Sequence, residues 1–261
     1  MVKGLSVDEW RKGMRTQVEA DEMIAFAHTK GITDLFLHVG RQDEGTLVIK
    51  TLQAQVDFDP IKYISEIAED LNTHLWISPL KLWRYPHKLN IYPESYLMNN
   101  MTPENYIWYL DPVSQSARQL IEDFYSELVA KYRYIKGVQI DGLCYPNKLA
   151  GTGAISVKED VLTDIMVRLS QNFKQINADL KISLTVKSGG SSELNNDLAK
   201  YEDWSYDYLV PMLHSIQTQD KYDSTILKFD SVTNKWPTIS PDLTYSGDHI
   251  IYSYQTWNNY V

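Results

Sequence analysis

The 261-residue chain carries 25 basic and 34 acidic side chains, a formal net charge of −9, with 43% hydrophobic and 23% charged residues. That balance excludes a disordered or collagen-like chain. The acidic excess argues against a nucleic-acid or anionic-membrane partner, because phosphate binding relies on a positive field.

Ser6 and Glu9 have the spacing of a capping box and predict a first helix, with Trp10, Met14, Val18 and Phe26 on its apolar face and Gly31 as its stop. Residues 32–40 read as a buried strand. Asp59 followed by Pro60 predicts a second helix whose stripe is Ile61, Ile64, Ala68 and Leu71. A strand over 74–80 follows. The Tyr-, Asn- and Pro-rich stretch over 81–110 is too long for a plain connection and reads as a functional loop. Asp111 and Pro112 predict the start of a third helix, which leads into a strand over 137–143. Ser156 with Glu159 predicts a fourth helix, and strands over 181–188, 206–213 and 249–257 complete the chain.

Helices alternating with short apolar strands imply parallel β/α units. With five or six such units in 261 residues, a single (β/α)8 TIM-type barrel domain over residues 1–261 is expected rather than an open sheet. No Gly-rich phosphate fingerprint follows any strand, so no nucleotide cofactor is expected. No apolar run approaches a membrane span. Two places depart from a full barrel: there is no room for a strand before Ser6, and no clear helix between Leu213 and His249. The barrel is therefore expected to be incomplete or modified at its N- and C-terminal closing units.

In such a barrel the chemistry sits at the C-terminal ends of the strands. The polar residues there are His38, Arg41, Asp43 and Glu44; Ser78, Lys81 and Trp83; Gln139 and Asp141; Thr185 and Lys187; His214; and Tyr252, Tyr254 and Gln255. Asp141 is an acid in an otherwise apolar strand, and Gly142 leaves space above it. Burial raises a carboxyl's pKa, which suits a general acid; a structural aspartate is the alternative. Cys144, the single cysteine, can form neither an intrachain disulfide nor a cysteine-based zinc site and reads as packing. His38, Asp141 and His214 lie at strand ends, but no HxH or HExxH spacing supports a metal, and none is expected.

Several segments, taken in order, resemble glycoside-hydrolase-like barrels, including the hydrolase domain of bacterial poly-N-acetylglucosamine processing proteins. WYLDPVSQSARQLIEDFYSELVAKYRYIKGVQIDGLCYPN is similar to a "YLDP…helix…GIxxD…YP" pattern. FDPIKYISEIAEDLNTHLWISPLKLW, DLFLHVGRQDEG and SYDYLVPML resemble further segments of the same barrels. The resemblance implies that Asp141 is the catalytic acid, with Arg41 and Asp43 near the sugar. It also implies a polysaccharide or oligosaccharide substrate, bacterial exopolysaccharide or biofilm matrix included; the expected location is extracellular or cell-surface with the leader absent from this chain, and a cytoplasmic one is the alternative. Gly142 stands where many relatives have a second acid, and Ser78 where they have Asn.

Glycoside cleavage normally uses two carboxylates, about 5 Å apart for retention or about 6.5–9.5 Å for inversion. Asp43 or Glu44 is the candidate second acid. Substrate assistance by an N-acetyl group is the alternative that needs only one. Trp83 and Tyr85 are candidates for sugar stacking, with Tyr254 and Trp257 on the far side and His38, Gln139 and His214 as polar contacts. Lys187 is positioned to anchor a hydroxyl or to neutralise Asp141. A barrel that binds carbohydrate without cleaving it is the second reading.

Overall fold

The computed structural model describes residues 2–8, 16–39, 58–83, 94–98, 107–145, 151–187, 206–213, 216, 218–230, 232–239 and 242–253. Eight parallel strands close into a barrel. In spatial order they are β1 (Val2–Asp8), β2 (Asp34–His38), β3 (Asn72–Ile77), β6 (Gly137–Ile140), β7 (Lys181–Lys187), β8 (Tyr208–Met212), β9 (Thr238–Ile239) and β10 (His249–Ser253), which returns to β1.

The expected gaps at the closing units are not there. Ser6 lies inside β1, which pairs with both β2 and β10, and its hydroxyl donates to the Tyr252 carbonyl at 3.2 Å. The capping-box spacing of Ser6 and Glu9 is thus overridden by strand pairing. The helix α1 (Gln17–Thr29) begins at Thr16, whose side chain accepts from the Glu19 N–H at 3.2 Å. It buries Ala20, Met23, Ile24 and Ala27, whereas Val18 is 66% exposed. Trp10 and Met14 lie outside the described residues. The seventh unit also exists, as α5 (Gln219–Ile226) followed by the two-residue strand β9.

Helix α2 (Pro60–Ile67) starts as expected, with Asp59 accepting from the Lys62 N–H at 3.1 Å and Pro60 in the first turn. Two other helix starts differ. Helix α3 (Gln115–Lys131) is entered through Ser114, and Asp111 is instead a buried acceptor for the Val113 N–H, the Thr152 N–H and the Thr152 hydroxyl at 3.0, 2.8 and 2.9 Å. Helix α4 (Ile155–Ile176) follows Ala154 with no side-chain cap, so Ser156 and Glu159 fall inside it. The long stretch after β3 contains an antiparallel ribbon, β4 (Lys81–Trp83) against β5 (Ile107–Tyr109).

The barrel has two apolar layers because side chains alternate across each strand. Leu5, Leu35, Leu75, Val138, Ile182 and Leu209 face outward and pack against the helices in the main core. Phe36, Val210, Trp236 and Ile251 form a separate cluster inside the barrel. Toward the N-terminal ends of the strands, His74 bonds through Nε2 to Asp34 Oδ1 at 2.9 Å and stacks on Phe36 at 4.6 Å between ring centroids. Gly137 permits this: a Cβ there would lie 2.4 Å from His74 Nδ1.

Candidate active site

Ile77 pairs with Ile140, and Ile140 with Leu184. The residues that follow, Ser78, Asp141 and Thr185, therefore stand at one level at the C-terminal end of the barrel. The Asp141 N–H donates to the Ile77 carbonyl at 2.7 Å, so the strand ladder itself fixes the residue. Its carboxylate is 6% exposed and fully engaged. Oδ1 accepts from the Thr185 hydroxyl at 2.5 Å. Oδ2 accepts from the Ser78 hydroxyl and from Lys81 Nζ, each at 3.4 Å.

Lys81 reaches this point from β4, three residues beyond Ser78, and crosses over Gly142. That glycine has φ +61°, and a Cβ on it would meet Lys81 Cε at 2.5 Å and Nζ at 2.7 Å. The space that Gly142 leaves above Asp141 is thus occupied by the lysine. The turn into β4 is braced from outside the barrel, where the buried Tyr125 hydroxyl of α3 donates to the Ser78 carbonyl at 3.3 Å.

Electrostatically, the pair is an ionised one. Burial pushes the Asp141 carboxyl up, but the Lys81 ammonium, the Thr185 hydrogen bond and the His38 ring together outweigh it and hold the group below its ordinary value. Lys81 is raised, chiefly by the Asp141 charge and against its own desolvation. This corrects the sequence expectation: an apolar strand raises a carboxyl only when no cation answers it. At neutral pH Asp141 is a carboxylate and has no proton to give.

Of the expected site residues, the fold brings Asp141, Gln139 and His38 together. Gln139 lies on β6 one inward position below Asp141, 3% exposed, and His38 closes β2, 6% exposed, with its ring 4.6 Å from that of Trp76. Trp83 is placed in β4 and Lys187 at the end of β7 by their backbones. Arg41, Asp43, Glu44, Tyr85, His214, Tyr254 and Trp257 lie outside the described residues. Among the described residues no cluster of His, Cys, Asp and Glu is arranged to hold a metal ion, and no helix is long and apolar enough to cross a membrane. The partner of Asp141 is Lys81, a role that the sequence suggested for Lys187. The signal was present as a lysine just past a strand end and a glycine directly after the acid, but nothing local joins residues 60 apart.

Comparison of the sequence with protein families found no match, and comparison with curated proteins found none. The fold is similar to that of solved glycoside-acting enzymes. The galactosidase domain of alpha-galactosidase-sucrose kinase AgaSK superposes with a TM-score of 0.62 at 14% identity, covering 97% of this chain and 38% of that one. The alpha-galactosidase of Lactobacillus brevis gives 0.59 at 13% identity, covering 95% and 37%. A cycloisomaltooligosaccharide glucanotransferase of Paenibacillus gives 0.60 at 11% identity, covering 91% and 38%. The chain spans less than two fifths of the length of each. The likeness is one of fold: a TIM-type barrel of the kind these glycoside hydrolases and their neighbours use.

Proposed function

We propose that the chain hydrolyses glycosidic bonds of an oligosaccharide or polysaccharide, with Asp141 as the carboxylate that faces the anomeric carbon. The observation that carries this reading is a buried, ionised carboxylate, held by three donors at the end of the barrel where such folds place their chemistry. In glycoside cleavage one carboxylate stays ionised to stabilise or capture the oxocarbenium-like centre, while a second, protonated acid gives its proton to the leaving oxygen. Asp141 fits the first role and not the second. Asp43 or Glu44, after β2, supplies the proton: the glycosidic C–O bond breaks, the leaving oxygen takes that proton, and the anomeric carbon bonds either to Asp141 or to a water that Asp141 deprotonates. In the first case a water then releases the sugar, with the other acid as base.

Substrate assistance with Asp141 as the lone acid does not fit an ionised carboxylate. Arg41, Trp83, Tyr85, Lys187, His214, Tyr254 and Trp257 are assigned to sugar contact on their strand-end and loop positions. The resemblance to exopolysaccharide-processing barrels supports a bacterial matrix polysaccharide, N-acetylated or neutral, as substrate.

The test is product release from a panel of bacterial exopolysaccharides by wild type and Asp141→Asn. Fragments from the wild type alone support the reading. Binding without fragments from either protein moves the assignment to a carbohydrate-recognition barrel.

A further inference from the structure

Directly beneath Asp141 lies a row of polar side chains whose hydrogen bonds are not made. Trp76, Gln139 and Ser183 are register partners on β3, β6 and β7, so their side chains share the inner face of the barrel. Trp76 Nε1, Gln139 Oε1 and Ser183 Oγ are all buried, and none has a hydrogen-bond partner among the described residues. Gln139 and Ser183 are 3% and 4% exposed. Trp236 Nε1 is a further such atom inside the barrel, whereas those of Thr73, Ser126 and Tyr222 lie on outward or helical positions and stand apart from one another. Among the described residues, those of Trp76, Gln139 and Ser183 fall on three successive strands in register.

Native interiors pair almost all their buried polar groups, because each orphan costs its full desolvation. Three adjacent orphans inside a barrel, which share its interior with the apolar side chains of Phe36, Val210 and Ile251, are unfavourable for the empty protein. Such violations are retained where a guest completes them. The donor set is also informative. The indole offers only a donor and the Gln139 carbonyl oxygen only an acceptor, while the Ser183 hydroxyl offers both. A hydroxyl group, donor and acceptor at once, satisfies two neighbours of this row together. A carboxylate or phosphate finds one acceptor opposing it and no cation in the row. The row sits two residues down the strand from Asp141, about 6–7 Å at the strand rise, which is one sugar ring below the carboxylate.

We propose that Trp76, Gln139 and Ser183 form the floor of the sugar site and read the ring hydroxyls of the residue whose anomeric carbon faces Asp141. The inference rests on the glycoside-hydrolase reading for its ligand class and goes beyond it in naming the groups that decide which sugar enters. A sugar reaching this floor enters end-on, so the site takes a terminal residue with unsubstituted hydroxyls on its buried edge.

The experiment measures binding of D-galactose, D-glucose and D-mannose to the full chain by ligand-observed NMR, in wild type, Asp141→Asn, Trp76→Phe, Gln139→Leu and Ser183→Ala, alongside thermal melting without sugar. At least one sugar is expected to bind wild type and Asp141→Asn, and to bind each floor variant at least ten-fold more weakly. Gln139→Leu, which removes an unsatisfied group, is expected to melt no lower than wild type in the absence of sugar. Sugar binding indifferent to the floor variants, as for a row filled by ordered water only, overturns the proposal. So does a lowered melting temperature of unliganded Gln139→Leu, or no binding of any sugar to wild type. Floor-dependent binding without product release leaves the floor standing and removes the hydrolase reading.

Discussion

Lys81 Nζ stands 3.4 Å from Asp141 Oδ2 and reaches it by passing over the one residue, Gly142, whose missing side chain leaves the path open. The ribbon β4–β5 thereby becomes part of the site, because it delivers the cation that decides the protonation state of the acid.

Replacing Lys81 tests this directly. In Lys81→Met the burial of Asp141 is unopposed by its main cation, so its pKa rises. In the wild type Asp141 is held below its ordinary value, and the acidic limb of kcat/KM on any cleaved glycan is expected at correspondingly low pH. In the variant that limb moves to higher pH. Since the folded-state pKa of Asp141 is depressed, its contribution to stability is present above the unfolded value of about 3.9 and is lost as pH falls through the folded one. Denaturant unfolding followed from about pH 5 down to about pH 2 is expected to show that loss in wild type and not in Lys81→Met.

Gly142→Ala reaches the same end by another route. Its Cβ would meet Lys81 Cε at 2.5 Å, and its φ of +61° is unfavourable for any L side chain. The expected cost is about 1–3 kcal/mol, together with a shift of the acidic limb in the same direction as Lys81→Met. A variant that loses stability but keeps the wild-type pH profile shows that the lysine stays in place.

Thr185 separates hydrogen bonding from packing. Thr185→Val keeps the shape and removes the donor to Asp141 Oδ1, costing about 1–3 kcal/mol for the buried acceptor left unmade. Thr185→Ser restores the donor and is expected to recover activity. Chemical denaturation and kcat on any cleaved glycan read both effects.

Asp111 is predicted to act at a distance from the chemistry. It ties the entrance of α3 to Thr152, with the fully buried Tyr145 hydroxyl donating to it at 3.5 Å. Asp111→Ala leaves those donors unmatched, at about 1–3 kcal/mol, and frees the chain on either side. Hydrogen exchange is expected to quicken at Val113 and Thr152 while β6 stays protected. Unchanged exchange at those two amides removes the role assigned to Asp111.

The barrel itself was legible in the sequence, since helical and strand periodicities alternate along the chain. The closing units were not. In β1 the apolar positions Leu5 and Val7 are few, and Ser6 carries a helix-cap signature that only pairing with β2 and β10 overrides. The strand β9 has two residues and no periodicity to read. In the same way Asp111 has the local form of a helix start, while its partners come from a loop 41 residues on.

What the sequence determined by itself is the pattern of apolar faces, and with it the barrel and the strand end on which Asp141 stands. These follow from local spacing, because a side chain's face is set by its position along its own strand or helix. What only the tertiary structure decided is the chemical state of that acid. Its strand neighbours announce burial and a raised pKa. The lysine 60 residues earlier and the threonine 44 residues later reverse the direction, since charge interaction and hydrogen bonding depend on distance in space rather than on separation along the chain.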